Sequence, residues 1–232
     1  GSMKELVYSR MFLPAIGANA DSIATIDGST RRTYAEHGER VLRLANALKT
    51  ELGIERSDRF ALMATNSSQY LELYHAAFLG AGVVNPLNLR LAGKELDYII
   101  RDSGTEVAFV DAMFAQHLAS AFADGESPLR HIVLIGEGDV PHDIKYEDLL
   151  AAGSTDVPEE PEEDDPVVLM YTGGTTGLPK GVLLDQRAEM LNLYHVAAVQ
   201  SFDQSQVYLH QTPLFHAASM AGFSALLRNF VL

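Results

Sequence analysis

Tyr171-Thr172-Gly173-Gly174-Thr175-Thr176-Gly177-Leu178-Pro179-Lys180-Gly181 joins two β-type runs, Val167–Tyr171 and Val182–Leu184. Glycine lets a backbone approach an anion closely and adopt positive φ, so several amide N–H groups can converge on phosphate oxygens. The hydroxyls of Thr172, Thr175 and Thr176 add donors, Lys180 adds a point charge, and Pro179 stiffens the exit. By themselves these residues fit two readings: a loop that holds a triphosphate, or a glycine-rich hairpin without a ligand. A Walker A loop is excluded. That motif has glycine directly before its lysine and Ser or Thr directly after, whereas Pro179 precedes Lys180 and Gly181 follows.

On either side of this loop, short β-type runs alternate with longer helical periods, the pattern of an α/β fold with mostly parallel strands and helices on both faces. Thr33-Tyr34-Ala35-Glu36 is a capping box opening a helix whose Tyr34, Val41, Leu42, Ala45 and Leu48 share a face, with Gly53 past its end. Strands are expected at 59–64, 106–110 and 131–135, an extended piece at 82–86, and a strand at 207–211. Helices are expected at 69–79 after an Asn66 or Ser67 cap, around Leu96, Ile99 and Ile100, and at 113–123, 146–151 and 188–200. A last one begins near Ser219. The Tyr70, Tyr74, Phe78 stripe reads as core. Ser154–Pro166 carries three prolines and seven acids, six of them crowded between Glu159 and Asp165, and reads as a solvated connector. The expected organisation is an α/β subdomain over 1–153, the connector over 154–166, and over 167–232 the phosphate-loop segment with the start of a further α/β subdomain.

Thirty-one acidic against seventeen basic residues give a net charge of −14. Such a chain repels a nucleic-acid backbone, so no nucleic-acid partner is expected, and positive potential for a polyphosphate has to be supplied locally or by Mg²⁺. No apolar run reaches the roughly 20 residues of a membrane helix, and no signal peptide opens the chain. With no cysteine there is neither a disulfide framework nor a thiolate metal site. A cytoplasmic address follows as the default.

The whole string from Tyr171 to Gly181 resembles the signature of the adenylate-forming superfamily, which includes acyl-CoA synthetases: Tyr/Phe-Thr-Ser-Gly-Thr-Thr-Gly-x-Pro-Lys-Gly. One position departs, Gly173 standing where that pattern has serine. Two more stretches resemble the family in order along the chain. These are Asn85-Pro86-Leu87-Asn88 with Glu95-Leu96-x-Tyr98-x-x-x-Asp102-Ser103, and Pro213-Leu214-Phe215-His216. The resemblance implies the incomplete N-terminal domain of an acyl-CoA synthetase-like fold. It implies that Thr172, Gly173, Gly174, Thr175, Thr176, Gly177 and Lys180 hold the β- and γ-phosphates of ATP while a carboxylate attacks the α-phosphate. Phe215 and His216 would line the acyl pocket. Mg²⁺ and coenzyme A are the further small molecules implied, with a small carboxylic acid, most readily a fatty acid, as substrate. An enzyme that loads a carrier protein, and a truncated binding or regulatory module, are the alternatives.

No side chain is singled out as catalytic, and the histidines, 37, 75, 117, 131, 142 and 210 included, show no paired spacing for a metal. His195 reads as core or surface. Asp185 and Glu189 lie a helical turn apart, near enough to approach a metal, yet acids there more commonly favour a helix N-terminus. The family's adenine, ribose and hinge elements have no match here, and Asn229–Leu232 ends the sequence inside apolar residues. The expectation is a front part that neither forms acyl-AMP alone nor stays fully soluble, self-associating through bared surface.

Overall fold

The computed structural model describes residues 5–172, 177–200 and 230–231, with only the backbone course for 195–200 and 230–231. Along the chain the elements are α1 (Ser9–Ala18), β1 (Ile23–Asp27), β2 (Thr30–Thr33), α2 (Tyr34–Thr50), β3 (Arg59–Met63), α3 (Ser68–Phe78), β4 (Val83–Pro86) and α4 (Gly93–Asp102). There follow β5 (Val107–Asp111), α5 (Ala112–Ser120), β6 (His131–Ile135), β7 (Ile144–Lys145), α6 (Tyr146–Ala152), β8 (Pro166–Thr172), β9 (Lys180–Asp185), α7 (Gln186–Gln200) and β10 (Phe230–Val231).

Seven strands form one sheet in the order β7-β6-β5-β3-β4-β8-β9, parallel throughout except for the antiparallel β8–β9 hairpin. The connection from β3 to β4 runs one way along the sheet and that from β4 to β5 runs back the other way. Right-handed crossovers in opposite directions place their helices on opposite faces. Accordingly Phe60, Leu62, Val84 and Phe109 pack beneath α2, α3 and α6, while Ala61, Met63, Ala108 and Val110 meet Leu96, Ile99 and Ile100 of α4 and Leu118 of α5. The expected mostly parallel α/β sheet with helices on both faces is what the chain forms. β1, β2 and β10 make a separate three-stranded sheet.

Local chemistry sets the helix starts. Thr33 accepts from the Glu36 N–H at 3.1 Å while Glu36 accepts from the Thr33 N–H at 3.0 Å, so the capping box closes at both bonds. Ser67, not Asn66, caps α3 through the Tyr70 N–H. Tyr70, Tyr74 and Phe78 are all buried, as their helical spacing predicts. The expected strand at 207–211 and the helix near Ser219 lie outside the described residues.

α1, β1, β2 and β7 escape a sequence reading. α1 carries Pro14 inside its ten residues, and a proline there removes a helical hydrogen bond and signals a break. β1 and β2 are short and meet across Gly28-Ser29, with Gly28 at φ +58°. β7 has two residues only.

The segment 154–165 has no regular structure, yet three of its acids form ion pairs. Glu160 pairs with Arg10, Glu163 with Arg187, and Asp165 with Arg56, each at 2.6–2.8 Å. The acidic run therefore ties the N-terminal helix, the β3 approach and the start of α7 to one path across the surface. The arginine of each pair is solvent-accessible, so each pair contributes little to stability by itself. Behind them β8 is hydrogen-bonded into the same sheet as β4.

Candidate functional site

Val167, Val168 and Leu169 are buried, which fixes β8 inside the sheet beside β4, with Val84 opposite Val168. The hairpin partner β9 pairs in a register that sets Thr172 opposite Lys180 and Tyr171 opposite Gly181. The loop of residues 173–179 is thereby closed at its base by Thr172 and Lys180. Gly177 has φ +105°, a conformation that side-chain-bearing residues rarely adopt, so glycine is required there. Of the residues that the sequence marks for phosphate binding, Thr172, Gly177 and Lys180 are placed at this loop. Gly173, Gly174, Thr175 and Thr176 lie outside the described residues, as do Phe215 and His216.

The carboxyl ends of β4 and β8 lie at the same edge of the sheet, the edge where ligands bind in open α/β folds. Between them opens a cleft of about 430 Å³, bounded by Pro86, Leu87, Asn88 and Arg90 after β4, by Glu95 and Ile99 of α4, and by Met170, Tyr171, Thr172 and Pro179 of the hairpin. The first two family-like stretches thus meet at one place, although some 70 residues separate them in sequence. Thr172, which lines the cleft, and Lys180, paired opposite it in the hairpin, are both exposed. Beneath the cleft, Asn85 is fully buried, its Nδ2 3.5 Å from Ser103 Oγ, and Ser103 and Thr105 share a 2.7 Å hydroxyl contact. Tyr171 donates to Asp102 Oδ2 at 2.7 Å. Burial, then that neighbouring carboxylate, push the Tyr171 phenol well above its usual range, so it stays a donor.

Downstream of the hairpin, Asp185 caps α7 by accepting from the Ala188 N–H at 2.8 Å. Glu189 is buried, one of its carboxyl oxygens has no hydrogen-bond partner, and its pKa is pushed up to about 7, first by burial and then by Asp185. Among the described residues no cluster of three or more His, Asp or Glu could hold a metal ion. No described helix is long and apolar enough to cross a membrane.

The folded pKa of Glu189 lies above its unfolded value of about 4.5, so its contribution to stability is fully present below pH 4.5 and is lost as pH rises through about 7. Glu189→Gln is therefore expected to match the wild type near pH 5 and to exceed it at pH 8 by about 2–3 kcal/mol. Parallel urea titrations at the two pH values check this; a variant advantage independent of pH refutes it.

One pairing had no signal in the sequence. His37 on α2 and His75 on α3 are both buried, with Nε2 and Nδ1 2.8 Å apart. Residues 38 positions apart on separate helices share no motif, and only the packing of α2 on α3 brings them together. Burial, with His75 and then Arg32 and Arg40 adding repulsion, holds His37 far below the ordinary histidine range.

The family profile of the AMP-binding enzymes matches residues 14–229. The chain belongs to that family. It is 32% identical to the 4-hydroxybutyrate–CoA ligase 2 of Metallosphaera sedula, an alignment covering 97% of this chain and 42% of that protein. With the long-chain-fatty-acid–CoA ligase FadD13 of Mycobacterium tuberculosis the identity is 32%, over 88% of this chain and 40% of the other. Its fold superposes with a TM-score of 0.85 on the inhibitor-bound N-terminal domain of FACL13 from Mycobacterium tuberculosis, at 28% identity, covering 99% of this chain and 57% of that one. The chain thus spans about two-fifths of the length of the curated relatives it matches.

Proposed function

We propose that this chain supplies the ATP-phosphate grip of an ATP-dependent acid–thiol ligase, which activates a carboxylic acid as acyl-AMP and passes it to coenzyme A. The observation that carries this reading is the hairpin itself. A glycine- and threonine-rich loop with one lysine is closed by the Thr172–Lys180 pair at the carboxyl edge of a parallel sheet, in a chain of the AMP-binding family. The resemblance of two relatives named as CoA ligases supports the acceptor, and the fatty acid is the substrate class first proposed for it.

In this mechanism the α-phosphate of MgATP is attacked by the substrate carboxylate, and pyrophosphate leaves. The loop amides, the threonine hydroxyls and Lys180 hold the β- and γ-phosphates in line, and such transfers need mainly positioning and neutralised charge. Thr172 donates its hydroxyl at the mouth of the loop, and Lys180 brings the positive charge that a net-acidic chain otherwise lacks. Mg²⁺ bound with the nucleotide would neutralise part of the charge on those phosphates. No nucleophile of the protein takes part. The protein is placed in the cytoplasm on this reading.

ATP–pyrophosphate exchange by the full-length gene product, run across short-, medium- and long-chain acids and followed by thioester detection with coenzyme A, tests the proposal. Acid-dependent exchange with thioester formation is expected, and the 232-residue chain alone is expected to show none. Exchange without a CoA thioester would move the reading to a carrier-protein acceptor; no exchange with any acid would end it.

A further inference from the structure

The two ends of the Tyr171–Gly181 motif touch each other. A Cβ added at Gly181 would lie 3.1 Å from Tyr171 Cζ and 3.1 Å from Leu169 Cδ1. The φ of Gly181 is not in the left-handed region, so glycine matters here for room: a Cβ would make the Tyr171 ring and Leu169 give by a few tenths of an ångström. The Tyr171 ring occupies that room, lying across the opposite strand in the manner of an aromatic that covers a cross-strand glycine. Its hydroxyl then reaches Asp102, the last residue of α4.

Asp102 in turn stands on fixed ground. Its neighbour Ser103 is buried, donates to the Ile100 carbonyl at 3.2 Å and contacts Thr105, while Asn85 of β4 reaches Ser103 from the sheet. A continuous line of contacts therefore runs from the interior of the sheet, through the end of α4, to the residue directly before Thr172.

We propose that Tyr171 and Asp102 form a clasp that sets the phosphate loop on the sheet, acting as positioning residues for a polyphosphate that neither of them touches. The inference rests on the loop being a phosphate grip. The first position of the family pattern allows phenylalanine, so the clasp is particular to chains with tyrosine there and an acceptor at the end of α4. Magnitudes separate the clasp from a merely structural bond. A single partly exposed hydrogen bond adds little to global stability, whereas a displacement of about 1 Å at a reacting phosphate costs up to about 10²-fold in rate.

Two measurements test it. In exchange assays on the full-length gene product, Tyr171→Phe and Asp102→Ala are each expected to raise the KM for MgATP about 5- to 10-fold. The shift in Tm stays within about 2 °C. The double variant is expected to be no worse than either single one, and Asp102→Asn, whose amide oxygen still accepts, to recover most of the loss. Calorimetric titration with inorganic tripolyphosphate reads the same clasp without turnover, with a matching 5- to 10-fold weakening in Tyr171→Phe. Wild-type KM in both single variants, multiplicative losses in the double variant, or no recovery in Asp102→Asn would each overturn the clasp. So would a wild type that does not bind tripolyphosphate. A wild type that binds tripolyphosphate, weakens with Tyr171→Phe and yet exchanges no pyrophosphate would support the clasp and refute the ligase reading alone.

Discussion

Alanine at position 72 is expected to lower the free energy of unfolding by about 3–5 kcal/mol. Glu72 sits on α3 with its side chain wholly buried and accepts three hydrogen bonds: from Arg40 Nε at 2.6 Å, from Arg40 Nη2 at 3.2 Å and from the Tyr146 hydroxyl at 2.8 Å. One carboxylate thereby ties α2, α3 and α6 together. Arg40 also forks onto Glu147 at 2.8 and 2.9 Å, but Glu147 is largely exposed. If that outer pair satisfied Arg40 fully, removing Glu72 would cost only the ~0–1 kcal/mol of a surface pair. The geometry argues otherwise, because the guanidinium edge facing Glu72 and the buried Tyr146 phenol would both be left without an acceptor. Arg40 is held above its ordinary range by Glu147 and Glu72 despite its burial, so it stays charged and cannot escape the penalty by losing a proton. Glu72→Gln keeps one acceptor oxygen and is expected to fall between. Urea denaturation measures the difference, and a loss below about 1 kcal/mol for Glu72→Ala would show that Glu147 alone suffices.

That network illustrates what the sequence conceals. Thr33 and Glu36 are three residues apart, their bonds are local, and the string Thr-Tyr-Ala-Glu discloses both of them. Gly53, at φ +66°, is legible for the same reason. Glu72, Arg40 and Tyr146 lie on three helices, and no spacing rule links position 72 to position 146. The same holds for His37 and His75. The strands Val107–Asp111 and His131–Ile135 announce themselves as β-branched runs, yet their neighbours in the sheet follow only from the crossover directions. At the hairpin the division falls inside one motif. The phosphate-grip role proposed for it rests on the string, because glycine, threonine and lysine are the residues such a ligand calls for. The reason for Tyr171 and Gly181 at its ends appears only when the ring is seen across the glycine and its hydroxyl on Asp102. Glu189 shows a further limit. Its place in the first turn of α7 reads as favourable to a helix dipole, but burial, with Asp185 adding to it, pushes the carboxyl's pKa up to about 7.

Methionine at position 180 is expected to lower kcat/KM for ATP–pyrophosphate exchange about 10²-fold in the full-length gene product. On the proposed reading the nucleophile attacks the α-phosphate, so the leaving group is the pyrophosphate held by the loop. Negative charge on that pyrophosphate grows as the bond to the α-phosphorus breaks. A lysine at the loop's base, opposite Thr172, therefore attracts the transition state more strongly than bound ATP. The loss should consequently fall mainly on kcat. A lysine that merely helped ATP to bind would raise KM and leave kcat alone. This split also separates Lys180 from the Tyr171–Asp102 clasp, whose expected signature is a raised KM. Lys180→Arg keeps the charge but replaces a compact ammonium with a planar fork, and should retain more activity than the methionine variant without restoring it. Methionine keeps an unbranched apolar stem without the terminal ammonium, so the Thr172–Lys180 backbone pairing and the hairpin stay intact, which an unchanged Tm would verify. Exchange within about threefold of wild type in Lys180→Met would remove the lysine from the phosphate grip and leave the loop amides and threonines to hold the polyphosphate.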